Sequence, residues 1–283
     1  MGVAVAVRTA TARENRPASI ARTGQAGLPA LSCPPRACRD GPGKQACLDS
    51  SNRAGGAREK LGRGSDRCDK EGNPLSDCHT KRATVDICPV TLEGRSIRLV
   101  PLAPAHLDGM CDVGLDPDLW RWTPAALRSR SDMKGYIEAA LKSQAEGTAL
   151  PFVTLEQATG TIVGSTRYGN IDRTSRRVEI GWTWVGMRWQ RTAVNTEAKY
   201  LMLLHAFEIL RCHRVEFKTD FLNERSRAAL RRIGAKEEGV LRQHMVTATG
   251  RLRDTVYYSI IDTEWPDARQ IIEGMLARGP SSR

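Results

Sequence analysis

Apolar and polar positions alternate in short runs after residue 94. Residues 95–102, 151–155, 161–168, 178–185, 213–220, 238–246 and 252–261 carry the two-residue period of half-buried strands. Four other stretches repeat their apolar residues every three to four positions, as helices do. They are 105–114 behind Pro104, 131–145 opened by Ser131 and Asp132, 194–210, and 223–233 closed by Gly234. Ala158-Thr159-Gly160 and Thr249-Gly250 read as turns joining hairpin strands, and residues 172–175 as a loop. The order β-α-α-β-β-β-α-β-α-β-β predicts an α/β (α+β) layer fold, with helices flanking a mixed, mostly antiparallel central sheet.

The helix 194–210 is apolar on two sides. Val194, Ala198, Leu201, Met202, His205 and Ile209 share one face, and Leu203, Phe207 and Leu210 another. Such a helix is sandwiched between sheet and helices. His205 then reads as a packed core histidine rather than a base. The helix follows strand 178–185 through the polar turn 190–195, which makes a strand–loop–helix unit. Its first amides lack intrahelical partners, and the dipole adds positive potential there. That end is suited to an anion, phosphate above all.

Composition divides the chain. All 15 aromatic residues lie after residue 119, Trp120 being the first. Residues 1–90 have 15 basic and 9 acidic side chains and no aromatic ring, so they contribute +6 to a net charge of +11. They cannot bury enough apolar surface to offset chain entropy and are expected to form a disordered basic extension. The folded domain is expected over 91–267, with 268–283 as a C-terminal tail.

Six cysteines, Cys33, Cys38, Cys47, Cys68, Cys78 and Cys88, fall in the extension at irregular spacing with only His79 nearby. No close pair marks a zinc site, so no metal is expected. No signal-peptide core is present, which implies reduced thiols and a cytoplasmic protein. The acid-poor residues 1–39 resemble an organelle transit peptide; the other reading, which is preferred, is an upstream frame translated in error. No run is apolar and long enough to span a membrane. The extension has no aromatic interleaving, so nucleic acid is not the expected partner. A homodimer stays open.

The element order, with the runs 178–185, 190–199, 217–242 and 253–266, resembles the Gcn5-related N-acetyltransferase (GNAT) superfamily over residues 92–265, in the branch that includes ribosomal-protein N-terminal acetyltransferases. The resemblance implies the acyl-CoA N-acyltransferase fold, acetyl-CoA as co-substrate and a primary amine as acceptor, on a protein N-terminus or a small molecule. The family's loop runs Gln or Arg, two residues, Gly, one residue, then Gly or Ala. Here Gln190 fits, while Ala193 and Asn195 stand at the glycine positions. A domain of this fold that binds CoA or a protein without catalysis is the alternative these substitutions raise.

Acyl transfer from a thioester to an amine requires amine deprotonation, stabilisation of the carbonyl oxygen, protonation of the leaving thiolate and joint positioning. The resemblance implies pyrophosphate at Gln190, Arg191, Thr192, Ala193, Val194 and Asn195, and pantetheine beside Trp184 and Val185. It implies an oxyanion donor at the backbone near Val185, and Glu179 as base, which otherwise reads as a polar strand residue. Asn223 and Ser226 open a helix near the cofactor's sulfur, and Asn223 is also an ordinary helix cap. Tyr257 and Tyr258 are adjacent on one strand and must face opposite sides of the sheet. Tyr258 is taken as a proton donor with Ser226. Trp120 and Trp122 read first as cover for the core edge and Tyr168 as packing; the loops around 120–122 and 168–173 would otherwise flank the acceptor mouth.

Overall fold

The computed structural model describes residues 87–278. The basic extension up to residue 86, with five of its cysteines, and residues 279–283 lie outside them.

Eight strands form one sheet. In chain order they are β1 (Leu92–Glu93), β2 (Ile97–Pro101), β3 (Leu150–Glu156), β4 (Ile162–Asp172), β5 (Arg177–Val185), β6 (Arg214–Asp220), β7 (Lys236–Val246) and β8 (Leu252–Ile261). The sheet order is β1-β2-β3-β4-β5-β6-β8-β7. Every neighbouring pair is antiparallel except β5 and β6. The expected mixed, mostly antiparallel sheet is therefore present, with the short β1 added at one edge.

Strand alternation sorts the side chains onto two faces. On one face α1 (Leu107–Gly114) and α2 (Arg130–Ala145) pack with Val153, Leu155 and Trp184. On the other, α3 (Val194–Leu204), α4 (Glu224–Arg232) and α5 (Trp265–Ala277) bury Ile97, Phe152, Ile180, Phe217 and Tyr258. The cap of α2 is Ser129, whose hydroxyl accepts from the Asp132 amide, and not the Ser131-Asp132 pair expected from sequence.

The region expected as a C-terminal tail from 268 is instead most of α5. Pro266 stands in its first turn, and Trp265, Ala268 and Ile272 are buried against α3 and β8. Their spacing of three and four residues is the periodicity of a packed helix, so the folded unit continues to Ala277.

α3 carries the expected two-sided burial and then widens into a π-turn at His205–Ile209. His205 is buried beside Tyr168, whose hydroxyl donates to the Met202 carbonyl at 2.5 Å and lies 3.4 Å from His205 Nδ1. Burial lowers the His205 pKa to about 4, so the imidazole is neutral in the core.

Candidate active site

The site begins where the sheet divides. β5 and β6 pair only over Arg177–Glu179 and Arg214–Glu216. Beyond that point β5 stays with β4, and β6 with β8. The facing edges of residues 180–185 and 217–220 therefore leave a wedge of unpaired backbone groups, which are strong hydrogen-bonding positions. A bulge on β5 drives the separation. Between Ser165 and Arg167 the β4 register advances two residues while β5 advances three. Trp182 occupies the bulge at φ 49°, a left-handed backbone held by a bulky aromatic residue. Its ring packs over Gly169, where a Cβ would lie 2.3 Å from a ring carbon.

Glu179 stands at the apex of the wedge, on the α1–α2 face. It is 5% exposed. Asn170 Nδ2 donates to its Oε2 at 2.5 Å, and Lys218 Nζ lies 2.8 Å from the same oxygen. Burial acts to lower the Lys218 pKa, but the Glu179 carboxylate and the Tyr257 oxygen outweigh it and hold the ammonium above its ordinary value. Oε1 is left for another partner. Beside it an open pocket of about 560 Å³ is lined by Asn170, Asp172, Arg173, Arg177 and Lys218. On the same face Arg167 lies between two rings, 4.9 Å from Tyr136 and 5.0 Å from Trp182. Asn170 and Lys218 thus connect the buried carboxylate to this polar pocket, and the Arg167 stack lies outside its lining.

The loop Gln190–Asn195 connects the wide end of the wedge to α3. Ala193 is the N-cap and its side chain supplies no cap hydrogen bond; the Val194 amide goes to Thr192 Oγ1, which leaves the next two first-turn amides for an anion. Ala193 has φ −69°, which alanine adopts without strain. Asn195 is already helical. The left-handed residue of the loop is Arg191, φ 63°. The missing glycines therefore cost the backbone nothing where they were expected. Gln190 is fixed at both ends of its amide: Nε2 donates to the Val185 carbonyl at 3.1 Å, and Arg225 donates to Oε1 at 2.9 Å. Thr192 Oγ1 donates to the Trp189 carbonyl at 2.6 Å and receives the Val194 amide at 3.3 Å.

Other expected residues are placed differently. The Trp184 ring points into the α1–α2 core, 6.0 Å from the Trp120 ring, so only its backbone lines the wedge. Trp120 is core, as its first reading had it, with its indole N–H donated to the Gly114 carbonyl. Asn223 caps α4 by accepting the Ser226 amide at 3.1 Å. Tyr258 is not brought to the wedge. It faces α4, donates its hydroxyl to Glu237 at 2.7 Å and receives Arg227 Nε at 3.3 Å. Tyr257 is the one that faces the Glu179 side, with Lys218 Nζ 4.9 Å from its ring centre. Alternation thus puts Tyr257 on the Glu179 face and Tyr258 on the α3–α4 face, where its hydroxyl is held by Glu237 and Arg227.

Sequence reasoning missed Asn170, Lys218 and Lys199. The first two stand at alternate polar positions of strands, a signal that was readable but not specific. Among the described residues no group of three or more His, Cys, Asp or Glu side chains is arranged to hold a metal ion. No described helix is long and apolar enough to cross a membrane.

A wedge opened by a bulge, a buried carboxylate at its apex and the start of α3 at its mouth make up the candidate site. Comparison with known proteins supplies the family. The acetyltransferase (GNAT) domain family matches residues 96–236. The structure of a GCN5-related N-acetyltransferase from Brucella melitensis superposes with a TM-score of 0.63 at 31% identity, over 67% of this chain and 86% of that one. The Bacillus subtilis (strain 168) protein named "Putative ribosomal N-acetyltransferase YdaF" is 35% identical over 106 residues, which span 38% of this chain and 57% of that relative. The chain belongs to the GNAT acetyltransferase family.

Proposed function

We propose that this protein transfers the acetyl group of acetyl-CoA to a primary amine, with the α-amine of a protein N-terminus as the favoured acceptor. The Glu179 apex within the β5–β6 wedge carries this reading. A ribosomal acceptor is suggested by the name of the Bacillus subtilis relative, of which this chain covers 57%.

In this reading the α3 amides with Arg191 and Arg225 hold the pyrophosphate, and the free edges of β5 and β6 align the pantetheine amides. The fit rests on a helix start whose N-cap side chain makes no hydrogen bond, reached by a short loop from the free edge of β5. Bound acetyl-CoA supplies the activated acyl group. Glu179 takes the amine's proton through Oε1, directly or across a water, while Asn170 and Lys218 fix its other oxygen. The amides beside the Trp182 bulge, and on to Val185, face the wedge where an acyl oxygen gains charge. Asn223 and Ser226, at the start of α4, border the wedge beyond β6.

The test combines calorimetry with acetyl-CoA and CoA, and thiol release across N-terminal peptides and small amines. Heat of binding with amine-dependent thiol release is the expected result. Binding without release against every amine would favour a CoA-binding module instead. No binding would reject the reading.

A further inference from the structure

One charged group on the α3 face remains without a role. Lys199 extends from α3 toward the β5–β6 wedge and is only 7% exposed. Its Nζ donates to Thr183 Oγ1 at 2.8 Å, one residue past the bulge, and lies 5.8 Å from the ring centre of Phe217, the first β6 residue beyond the paired segment. Thr183 Oγ1 in turn is 2.8 Å from Thr166 Oγ1 on β4. The ammonium thus sits against both strands at the level where they part. Glu179 sits at the same level on the opposite face of the sheet.

We propose that Lys199 is the proton donor to the departing thiolate, acting from the α3 side of the wedge while Glu179 acts from the acceptor side. The assignment rests on the proposed position of the thioester in the wedge. The balance is simple. The acceptor nitrogen forms a bond to the acyl carbon and gives its proton to Glu179. The carbon–sulfur bond breaks with its electron pair on sulfur. Lys199 delivers one ammonium proton to that sulfur, leaves as the neutral amine, and regains a proton from solvent before the next cycle.

Three observations favour this residue. Tyr258, the alternative donor, is committed to Glu237 on the far side of β6. Ser226 offers an aliphatic alcohol, a far weaker acid than an ammonium. Burial lowers the Lys199 pKa to about 7, with the Glu179 charge opposing that shift, so the ammonium releases a proton readily near neutral pH. Its contacts on β5 and β6, Thr183 and Phe217, bring no charge, and neither does Thr166, which bonds Thr183 from β4. Glu197, the other buried charge on α3, is turned to β2 and accepts the Ser96 amide at 3.2 Å.

The experiment has two arms. In the first, lysine side chains carry heavy nitrogen, and the Lys199 signal is assigned by its loss in Lys199→Met. It should titrate near 7 in the free protein and move when CoA is added. In the second, Lys199→Met and Lys199→Arg are compared with the parent. Both variants should retain CoA binding by calorimetry and lose kcat by about 100-fold or more, since arginine keeps the charge but donates a proton poorly. If the wild-type kcat falls as pH rises through a limb near 7, that limb should vanish in both. A Lys199 signal unmoved by calorimetrically saturating CoA overturns the proposal while leaving acetyl transfer intact. Full kcat in Lys199→Arg overturns it too, because charge alone would then suffice. Absence of CoA binding in the parent removes the reading and the proposal together.

Discussion

Lys218 anchors Glu179: its Nζ lies 2.8 Å from Oε2, at the last register position where β5 and β6 still pair. This contact sets which oxygen is available. With Oε2 shared between Lys218 and Asn170, only Oε1 can meet an incoming amine or its water. Glu179→Gln keeps the size and a hydrogen-bonding group but loses basicity. We expect kcat to fall by about 100- to 10,000-fold, with the Kd for CoA changed little. Thiol release and calorimetry measured on one preparation check both halves. An active variant would remove Glu179 from the chemistry.

The loop makes a contrary prediction about its missing glycines. Ala193 already has φ −69°, and a glycine there gains no conformation that alanine lacks. Ala193→Gly should change the Kd for CoA by less than about threefold and slightly loosen the start of α3. Arg191 is different. It holds φ 63°, so Arg191→Gly relieves backbone strain while deleting a charge near the proposed pyrophosphate. Thermal stability should rise by about 1 kcal/mol while CoA affinity falls. Calorimetry beside a melting curve separates the two effects.

Tyr258 should matter to stability and not to turnover. Its hydroxyl donates to Glu237 and receives Arg227 within the α4–β8 packing. Tyr258→Phe leaves the exposed Glu237 carboxylate with one protein partner fewer, at a cost of about 0.5–1.5 kcal/mol. Turnover should remain within about threefold of the parent. A large loss of kcat at unchanged stability would return Tyr258 to the mechanism.

The layers and the succession of elements along the chain were readable because periodicity survives in almost every element. Strand 178–185, the loop and the two-sided helix announced the scaffold before any geometry. The site was less legible, for physical reasons. Alternation says that Tyr257 and Tyr258 face opposite ways, but only the sheet says which face holds Glu179. Trp184 was expected along pantetheine; its ring belongs to the α1–α2 core because residue parity on β5 resets across the bulge at Trp182. No residue type marks that bulge, since the left-handed position is a tryptophan and not a glycine. Helix α5 was a different failure. Trp265, Ala268 and Ile272 already had helical spacing in the sequence, and the short terminal length masked it.

His205 provides a test of the core by pH. Folded, it takes a proton only below about 4; unfolded, it does so below its ordinary 6.5. Between those values the unfolded chain binds a proton that the folded protein does not, so stability must fall as pH drops from 6.5 to 4. The loss attributable to this residue is roughly 3 kcal/mol. Denaturant titrations of the parent and of His205→Gln over this range should show a shallower slope in the variant. An unchanged slope would place the acid sensitivity elsewhere.

Lys199 should have the opposite relation to pH and a stabilising substitution. Its pKa is about 7 in the fold and 10.5 when the chain is open. Below about 7 both states hold the proton, and the fold bears the full cost of a buried ammonium. Between 7 and 10.5 the unfolded chain binds the proton and the folded protein does not, so stability rises with pH across that window. Methionine fills nearly the same volume without a charge. Lys199→Met should therefore be more stable at pH 7 by roughly 2–4 kcal/mol, and its stability should change less between pH 7 and 10. A group kept only for packing would behave in reverse, because its loss would uncover Thr183 and lower the melting temperature. A stabilised protein that releases thiol slowly would show that the ammonium is held in the wedge at the expense of the fold.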